Sequence, residues 1–184
     1  EEADTLEMRL RRNRLTAAIV QTSLGVPFMQ AGEEMLRQKK NADGTYNENS
    51  YNSSDEVNNL KWEKLTPTSP EYAMMRYYSG LIAFRKAHDT LRSPLASDRG
   101  TTINVLDAAA TKGAVIAFTM TNPYGGETIY VVYNAGEIDT EIRLPSGNWD
   151  LYINGTTAGT TAIKSGLTGA QTIEAVSCYV FVKN

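Results

Sequence analysis

The residues best suited to chemistry in this 184-residue sequence lie between positions 49 and 58. They are Asn49, Tyr51, Asn52, Asp55 and Asn58, which supply amide, phenol and carboxylate groups. Amides and carboxylates can pair with the hydroxyls of a ligand, and an aromatic ring can pack on its apolar side. The alternative is that these side chains bind the backbone of their own loop, as Asn and Asp often do in turns. If the stretch contacts a ligand, Asp55 and Asn58 are the first candidates.

Two other pairs of ionisable residues look like acid–base sites, but their context favours structural roles. Glu33 and Glu34 are adjacent, and adjacent residues leaving a strand point in opposite directions. They are therefore expected to brace nearby backbone through hydrogen bonds, close to the candidate site. His88 and Asp89 come at the predicted end of a helix, where a histidine interacts with the negative end of the helix dipole. Neither pair is taken as catalytic.

Composition excludes several classes of function. The net charge of -3 provides no attraction to nucleic acid or an anionic membrane, and no apolar run approaches the roughly 20 residues that span a bilayer. One cysteine, Cys178, and one histidine, His88, cannot form a disulfide framework or an ordinary zinc site. Cys178 is expected to be a buried apolar residue of the last strand. No cofactor is expected. The polar loop has oxygen ligands but no recognisable calcium-loop spacing, so calcium in a longer parent protein stays an open question.

The elements that position the candidate loop are predicted as helix, strand, loop and helix. Helical spacing predicts a first helix over residues 5–24, with Leu15, Ala18, Ile19 and Thr22 on its apolar face. Residues 26–31 form a short apolar run without alternation, which is typical of a strand buried on both faces of a parallel sheet. A polar loop follows over residues 39–67. A second helix begins at Ser69 with Pro70 in its first turn and is expected to end near residues 92–94.

Five apolar residues of this second helix are expected to face inward: Met74, Tyr78, Leu81, Ile82 and Phe84.

The second half of the sequence has period-two patterns separated by turn signals. They predict seven short strands at residues 102–106, 115–120, 128–133, 140–144, 150–153, 172–175 and 179–182. Strands without intervening helices favour an antiparallel β-sandwich, with Trp149 in its core. This half can be expected to fold alone. The first half cannot, because its one parallel strand has no partner. The fold predicted is therefore α+β: residues 1–94 as an incomplete segment of a larger α/β domain, and residues 95–184 as a C-terminal sandwich.

The strand and the loop carry a family resemblance. Residues 25–34 (GVPFMQAGEE) resemble the eighth barrel strand of glycoside hydrolase family 13, in which a Gly-x-Pro-aromatic strand runs into a Gly-Glu pair. Residues 49–58 (NSYNSSDEVN) resemble the corresponding loop of type I pullulanases, although Ser54 stands where proline is usual. Residues 81–86 (LIAFRK) are similar to the last barrel helix of that family. Phe118, residues 131–134 and Trp149 fit its C-terminal sandwich less specifically.

The resemblance implies the end of a (β/α)₈ barrel joined to a sandwich, from a retaining hydrolase of α-1,6 linkages in pullulan, starch or glycogen. It implies an α-glucan as the partner of the full-length parent. Such chemistry needs two carboxyl groups about 5–5.5 Å apart. In the family these groups and a third carboxylate follow the fourth, fifth and seventh barrel strands, and this chain is expected to begin after the seventh. The resemblance therefore implies no catalytic residue here and a substrate-positioning role for the loop.

Alternatives stay open. The chain could be a stand-alone carbohydrate-binding or structural module, although the partnerless strand at Val26 argues against that hypothesis. The bond preference of the parent, α-1,6 or α-1,4, depends on loops outside this sequence. Whether the chain alone is an enzyme is undecided, and so is its location: secreted, cell-surface and cytoplasmic settings all fit. Self-association of the isolated fragment is a further expectation, because the exposed strand needs a cover.

Overall fold

The computed structural model describes residues 4–92, 100–106 and 114–184. The chain forms two compact units. One combines residues 1–28 with residues 77–184, and the other consists of residues 29–76. Across the described ranges, no helix has the length and apolar character needed to cross a membrane.

Two long helices form among the described residues, close to the positions that the sequence predicts. Helix α1 covers Leu6–Thr22, and the Thr5 hydroxyl caps it by accepting from Met8 N at 3.2 Å. Helix α3 covers Pro70–Ala87, and Ser69 Oγ accepts from Tyr72 N at 3.1 Å. The serine cap with proline in the first turn is thus confirmed. Both helices end earlier than predicted, α1 at Thr22 and α3 at Ala87. Residues 93 and 94, where α3 was expected to end, lie outside the described residues.

The predicted apolar faces of the helices are correct except at one position each. Leu15, Ala18 and Thr22 of α1 are buried, and so are the inward residues predicted for α3: Met74, Tyr78, Leu81 and Phe84. Ile19 and Ile82, however, are 38% and 39% exposed, so their predicted burial is wrong. Each lies next to a buried residue in sequence, Ala18 or Leu81, and is therefore rotated about 100° away from it around the helix axis.

Among the residues that the structure describes, eight strands form two antiparallel sheets. The strands are β1 (Thr102–Leu106), β2 (Val115–Thr121), β3 (Thr128–Asn134), β4 (Thr140–Arg143), β5 (Trp149–Ile153), β6 (Lys164–Leu167), β7 (Ala170–Ile173) and β8 (Ser177–Lys183). Six of them form one sheet in the order β1-β2-β3-β8-β5-β6, and β4 pairs with β7 in a second sheet. The seven predicted strands are present within a few residues. Strand β6 was not predicted, because its sequence KSGL lacks alternation and includes a glycine.

One face of the six-stranded sheet and the two-stranded sheet share a hydrophobic core. Trp149, Tyr130 and Phe181 from the larger sheet pack with Ile142 and Ile173 from β4 and β7. Trp149 is 1% exposed, so the expectation of a core tryptophan is confirmed. Its indole Nε1 donates to Pro145 O at 2.9 Å, which satisfies the one polar atom of the ring.

The opposite face of the six-stranded sheet carries helix α1. Side chains alternate along β3, so Ile129, Val131 and Tyr133 point away from the shared core. The Tyr133 and Thr22 hydroxyls lie 2.7 Å apart in a buried hydrogen bond between β3 and α1. Cys178 of β8 is buried as expected, and burial raises the pKa of its thiol far above the usual value.

Arg85 of α3 holds the end of helix α1. Its guanidinium is buried and donates to Gln21 O at 2.8 Å, to Ser23 O at 2.7 Å and to Gly25 O. Burial lowers the Arg85 pKa, with Arg92 contributing in the same direction. The last carbonyls of a helix have no partners within the helix, and a cation near them is stabilising. Arg85 therefore caps α1 from another element.

The segment after α1 is not the buried strand that the sequence predicts. Residues 26–30 belong to no strand or helix, and Val26 and Phe28 are 96% and 88% exposed. A parallel strand is stable only between neighbouring strands and under covering helices. The described residues supply no neighbour that pairs with this segment. The prediction of a strand buried on both faces is thus wrong for the chain as it folds here.

Candidate functional site

The unit of residues 29–76 begins with a tight turn braced by two carboxylates. Gly32 has φ 98°, which favours glycine, and the 3₁₀ turn Glu33–Met35 follows it. Glu33 Oε1 accepts from Gln30 N at 3.0 Å, and Glu34 Oε2 accepts from Gly32 N at 2.9 Å. The two carboxylates thus bind backbone N–H groups of their own turn, as a bracing role requires.

Arg37 joins this turn to the end of the candidate loop. Its guanidinium donates to Ala31 O at 3.1 Å and to Asn58 O. A Cβ atom on Gly32 would lie 2.6 Å from Arg37 Cδ and 3.0 Å from a methyl carbon of Leu60. Gly32 is therefore needed both for its backbone conformation and for the close approach of Arg37.

The predicted ligand-binding residues divide into one internal and four exposed positions. Asn58 is half-buried, and its amide donates to Ser50 O at 2.7 Å and to Ser53 O at 3.0 Å. It thereby closes the turn that carries Tyr51 and Asn52, which is the loop-stabilising alternative given above. Asn49, Tyr51, Asn52 and Asp55 have exposed side chains, and Tyr51 is 87% exposed.

Helix α2 (Asp55–Asn58) presents the carboxylates of the loop. Asp55 and Glu56 lie in its first turn, where negative charge is favoured by the helix dipole. The Ser54 side chain hydrogen-bonds to Glu56, and this contact, with other hydrogen bonds and Lys61, holds the Glu56 pKa below its usual value. Glu56 is therefore ionised at neutral pH.

Further hydrogen bonds keep the loop in one conformation. Lys39 Nζ donates to Ser50 Oγ at 2.7 Å, and Lys61 Nζ donates to Glu56 O at 2.9 Å. Asn47 Nδ2 donates to Asn41 Oδ1 at 2.9 Å and to Ser53 Oγ at 3.1 Å. Because these hydrogen bonds order the loop before a ligand binds, binding costs less conformational entropy of the loop. It can present amide, carboxylate and phenol groups to a hydroxyl-rich ligand.

Two exposed aromatic residues of the same loop were not assigned to the site from the sequence. Tyr46 and Trp62 are 61% and 63% exposed. The sequence does contain a signal for them, because aromatic residues interleave with polar residues throughout residues 39–67. Across the described residues, no group of three His, Cys, Asp or Glu side chains could hold a metal ion.

His88 has the structural role expected of it, with a partner that the sequence did not reveal. It follows the last residue of α3, and its Nδ1 lies 2.6 Å from Glu127 Oε1. The other Glu127 oxygen accepts from the Thr90 hydroxyl. The His88 ring also contacts Phe84, with ring centroids 4.0 Å apart. His88 therefore ties the end of α3 to the turn between β2 and β3.

Comparison with known proteins finds sequence relatives that are named pullulanases and isoamylases. No family model matches the chain. A pullulanase of Bacillus subtilis is 32% identical over 135 residues, which cover 73% of this chain and 18% of the relative. An isoamylase of Pseudomonas amyloderamosa is 32% identical over 147 residues, covering 74% of this chain and 18% of the relative. The chain thus spans less than a fifth of the length of either relative.

Solved structures agree with the sequence relatives. The pullulanase from Bacillus acidopullulyticus matches all of this chain with a TM-score of 0.83 and 28% identity, over 22% of its own length. A pullulanase from an Anoxybacillus species, complexed with maltotetraose, matches all of this chain with a TM-score of 0.74 and 26% identity, over 25% of its length. The family resemblance predicted from the sequence is thereby confirmed. The chain is homologous to pullulanase-type proteins of glycoside hydrolase family 13 and is consistent with a C-terminal portion of one.

Proposed function

We propose that this chain is the C-terminal part of a retaining α-glucan debranching hydrolase acting on α-1,6-glucosidic bonds of pullulan, starch or glycogen. In this proposal the chain supplies a substrate-contacting loop and a β-sandwich, and the catalytic carboxylates lie elsewhere in the parent protein. Because the chain spans 18% of its pullulanase relative, the activity is that of the whole protein.

The exposed polar and aromatic face of the loop is the observation that carries the proposal. Four of its side chains are exposed: Asn49, Tyr51, Asn52 and Asp55. The Asn58 amide instead donates hydrogen bonds to backbone carbonyls of the loop. Sugar recognition combines hydrogen bonds to hydroxyls with an aromatic surface for the apolar side of the ring. We assign substrate contact to the four exposed residues and give Asn58 the role of holding them in place.

The exposed segment after α1 supports the assignment of residues 1–94 to a larger barrel. Val26 and Phe28 are apolar and almost fully exposed, which is unfavourable in an independent domain. A barrel strand would cover both side chains and pair the free backbone groups. We assign residues 95–184 to the C-terminal sandwich, whose two sheets share a core in the described residues.

Two measurements on purified residues 1–184 test the proposal. The chain should release no reducing sugar from pullulan, because the two carboxyls of a retaining mechanism are not supplied by the loop. Titration with maltotriose, followed by NMR, should show saturable shifts in residues 49–55. Measurable turnover would overturn the placement of the catalytic groups outside this chain.

A neighbouring carboxylate provides the control for binding. Asp55→Asn should weaken maltotriose binding about tenfold, since a hydrogen bond to a charged group is worth roughly 1.5–3 kcal/mol. Glu56→Gln, which changes the adjacent residue of helix α2, should leave the affinity within about twofold. Equal losses in both variants would indicate a general charge effect instead of a specific contact.

A stand-alone carbohydrate-binding module is the second candidate, favoured by the closed core of the two sheets. It also predicts glucan affinity without hydrolysis. The two candidates differ in the exposed Val26–Phe28 backbone, which only the barrel proposal requires to be covered by another part of the protein. Sequence upstream of Glu1 that encodes a barrel with the catalytic carboxylates would decide for the hydrolase.

A further inference from the structure

Tyr46 is an exposed aromatic residue held in place by a small hairpin. Lys40 and Tyr46 form an antiparallel bridge, and Tyr46 is 61% exposed. The Lys40 ammonium lies 5.0 Å from the centre of the Tyr46 ring, within the range of a cation–π contact. The Tyr46 ring is thus mostly exposed and contacts Lys40, and it is not buried in the unit of residues 29–76.

The turn that closes the hairpin is fixed by several hydrogen bonds. Asn41 N donates to Thr45 O at 2.9 Å, and Gly44 N donates to Asn41 O at 2.9 Å. The Asp43 carboxylate accepts from both the backbone N and the hydroxyl of Thr45. These hydrogen bonds lower the Asp43 pKa, with the Thr45 hydroxyl contributing most. The hairpin is therefore closed at neutral pH, when this carboxylate is ionised.

The hairpin is also tied to the turn that carries Tyr51. Asn47 follows Tyr46 directly and donates to Asn41 within the hairpin and to Ser53 beyond Tyr51. Its backbone N donates to Lys39 O at 2.9 Å. Because both ends of this connection are hydrogen-bonded, the positions of Tyr46 and Tyr51 are set together.

We propose that Tyr46, with Lys40 beside it, is a second ring-stacking position for an α-glucan, additional to the position at Tyr51. This proposal rests on the proposed function of the loop. An exposed tyrosine offers an apolar face to a pyranose ring at a low cost in side-chain entropy. The Lys40 ammonium carries three N–H donors that can bind hydroxyl groups of the sugar. An oligosaccharide longer than the part held at Tyr51 would contact both positions.

Oligosaccharides of two lengths test the second position. Residues 1–184 are titrated with maltose and with maltotetraose by NMR, as wild type, Tyr46→Ala and Tyr51→Ala. Tyr46→Ala should weaken maltotetraose binding about fivefold to tenfold and change maltose binding by less than about twofold. Tyr51→Ala should weaken both ligands. Tyr46→Phe, which keeps the ring, should restore most of the maltotetraose affinity.

Tyr124 supplies the matched control. It is 68% exposed in the turn between β2 and β3, outside the candidate loop. Tyr124→Ala should leave both affinities unchanged, and circular dichroism of each variant should match that of the wild type.

The outcomes separate this inference from the function on which it rests. If Tyr51→Ala weakens binding and Tyr46→Ala does not, the second position is overturned and the proposed function stands. If Tyr46→Ala alone weakens binding, the position at Tyr46 stands and the role given to Tyr51 fails. Absence of saturable shifts with maltotetraose in the wild type would overturn both.

Discussion

His88 and Glu127 illustrate how single residues connect distant parts of the sequence. Burial raises the Glu127 pKa, but hydrogen bonds from His88 and Thr90 lower it by more, so the net direction is below the usual value of 4.5. The folded protein thus binds this proton less tightly than the unfolded chain does. The contribution to stability is complete above the unfolded pKa and is lost as the pH falls through the lower folded pKa.

Glu127→Gln should therefore reduce the pH dependence of stability under acidic conditions. Between pH 7 and pH 3, the melting temperature of the wild type should fall more steeply than that of the variant. At pH 7 the variant should be the less stable of the two, because the carboxylate no longer accepts from His88 and Thr90. Thermal unfolding at several pH values measures both effects.

Glu141→Gln, an exposed change on β4, is the control for general charge effects. Its unfolding profile should run parallel to that of the wild type. If the melting temperature of Glu127→Gln fell with decreasing pH as steeply as that of the wild type, the Glu127 carboxylate would have no part in the acid sensitivity of the protein.

At the scale of elements, helix α3 approaches the connection between β5 and β6 very closely. A Cβ atom added at Gly80 would lie 2.0 Å from the carbonyl oxygen of Ala158. Tyr77, one turn earlier, donates its hydroxyl to Asn154 O at 3.1 Å, and the Phe84 and Tyr152 rings lie 5.7 Å apart. The helix therefore contacts β5 and the connection after it through one hydrogen bond, one ring pair and one close backbone approach.

Gly80→Ala should destabilise the protein although alanine is the better helix former. On an exposed helix the change would stabilise by about 1 kcal/mol. Here the overlap with backbone should outweigh this gain and cost about 1–3 kcal/mol. Urea unfolding of the wild type and the variant measures the difference. An increase in stability would show that α3 does not approach Ala158 so closely.

Gly159→Ala is the matched control for this substitution. It lies next to Ala158, yet a Cβ atom there would have nothing within 4 Å. Its free energy of unfolding should stay within about 0.5 kcal/mol of the wild-type value. A large effect at both glycines would point to the conformation of the connection instead of helix contact.

At the scale of the whole molecule, the exposed apolar side chains of Val26 and Phe28 decide how the isolated chain behaves. Val26 and Phe28 are apolar, and no described residue pairs with residues 26–30 as a strand. Unpaired, apolar segments of this kind promote association between copies of a chain.

Residues 1–184 should therefore associate in a concentration-dependent manner. Val26→Ser combined with Phe28→Ser should shift the protein towards the monomer, which sedimentation velocity at several concentrations can measure. Ile138→Ser, at another apolar residue that is 67% exposed, should not alter association. A monomeric wild type at all concentrations would contradict the expectation.

The sequence by itself determined the features that depend on local pattern. Period two predicted seven strands, the Ser69–Pro70 pair predicted the start of α3, and residues 49–58 indicated both the candidate site and the family. The predictions of the strands and of the α3 cap succeed because turn chemistry, capping and alternation act over a few residues.

Only the tertiary structure decided which distant residues meet. Arg85 binds carbonyls about 60 residues away, His88 meets Glu127, and Asn58 gives its amide to the loop instead of keeping it exposed. The burial of residues 26–31 was predicted wrongly for the same reason. The apolar composition of a segment predicts that it tends to be buried. Its actual exposure depends on neighbouring elements, which the local sequence pattern does not identify.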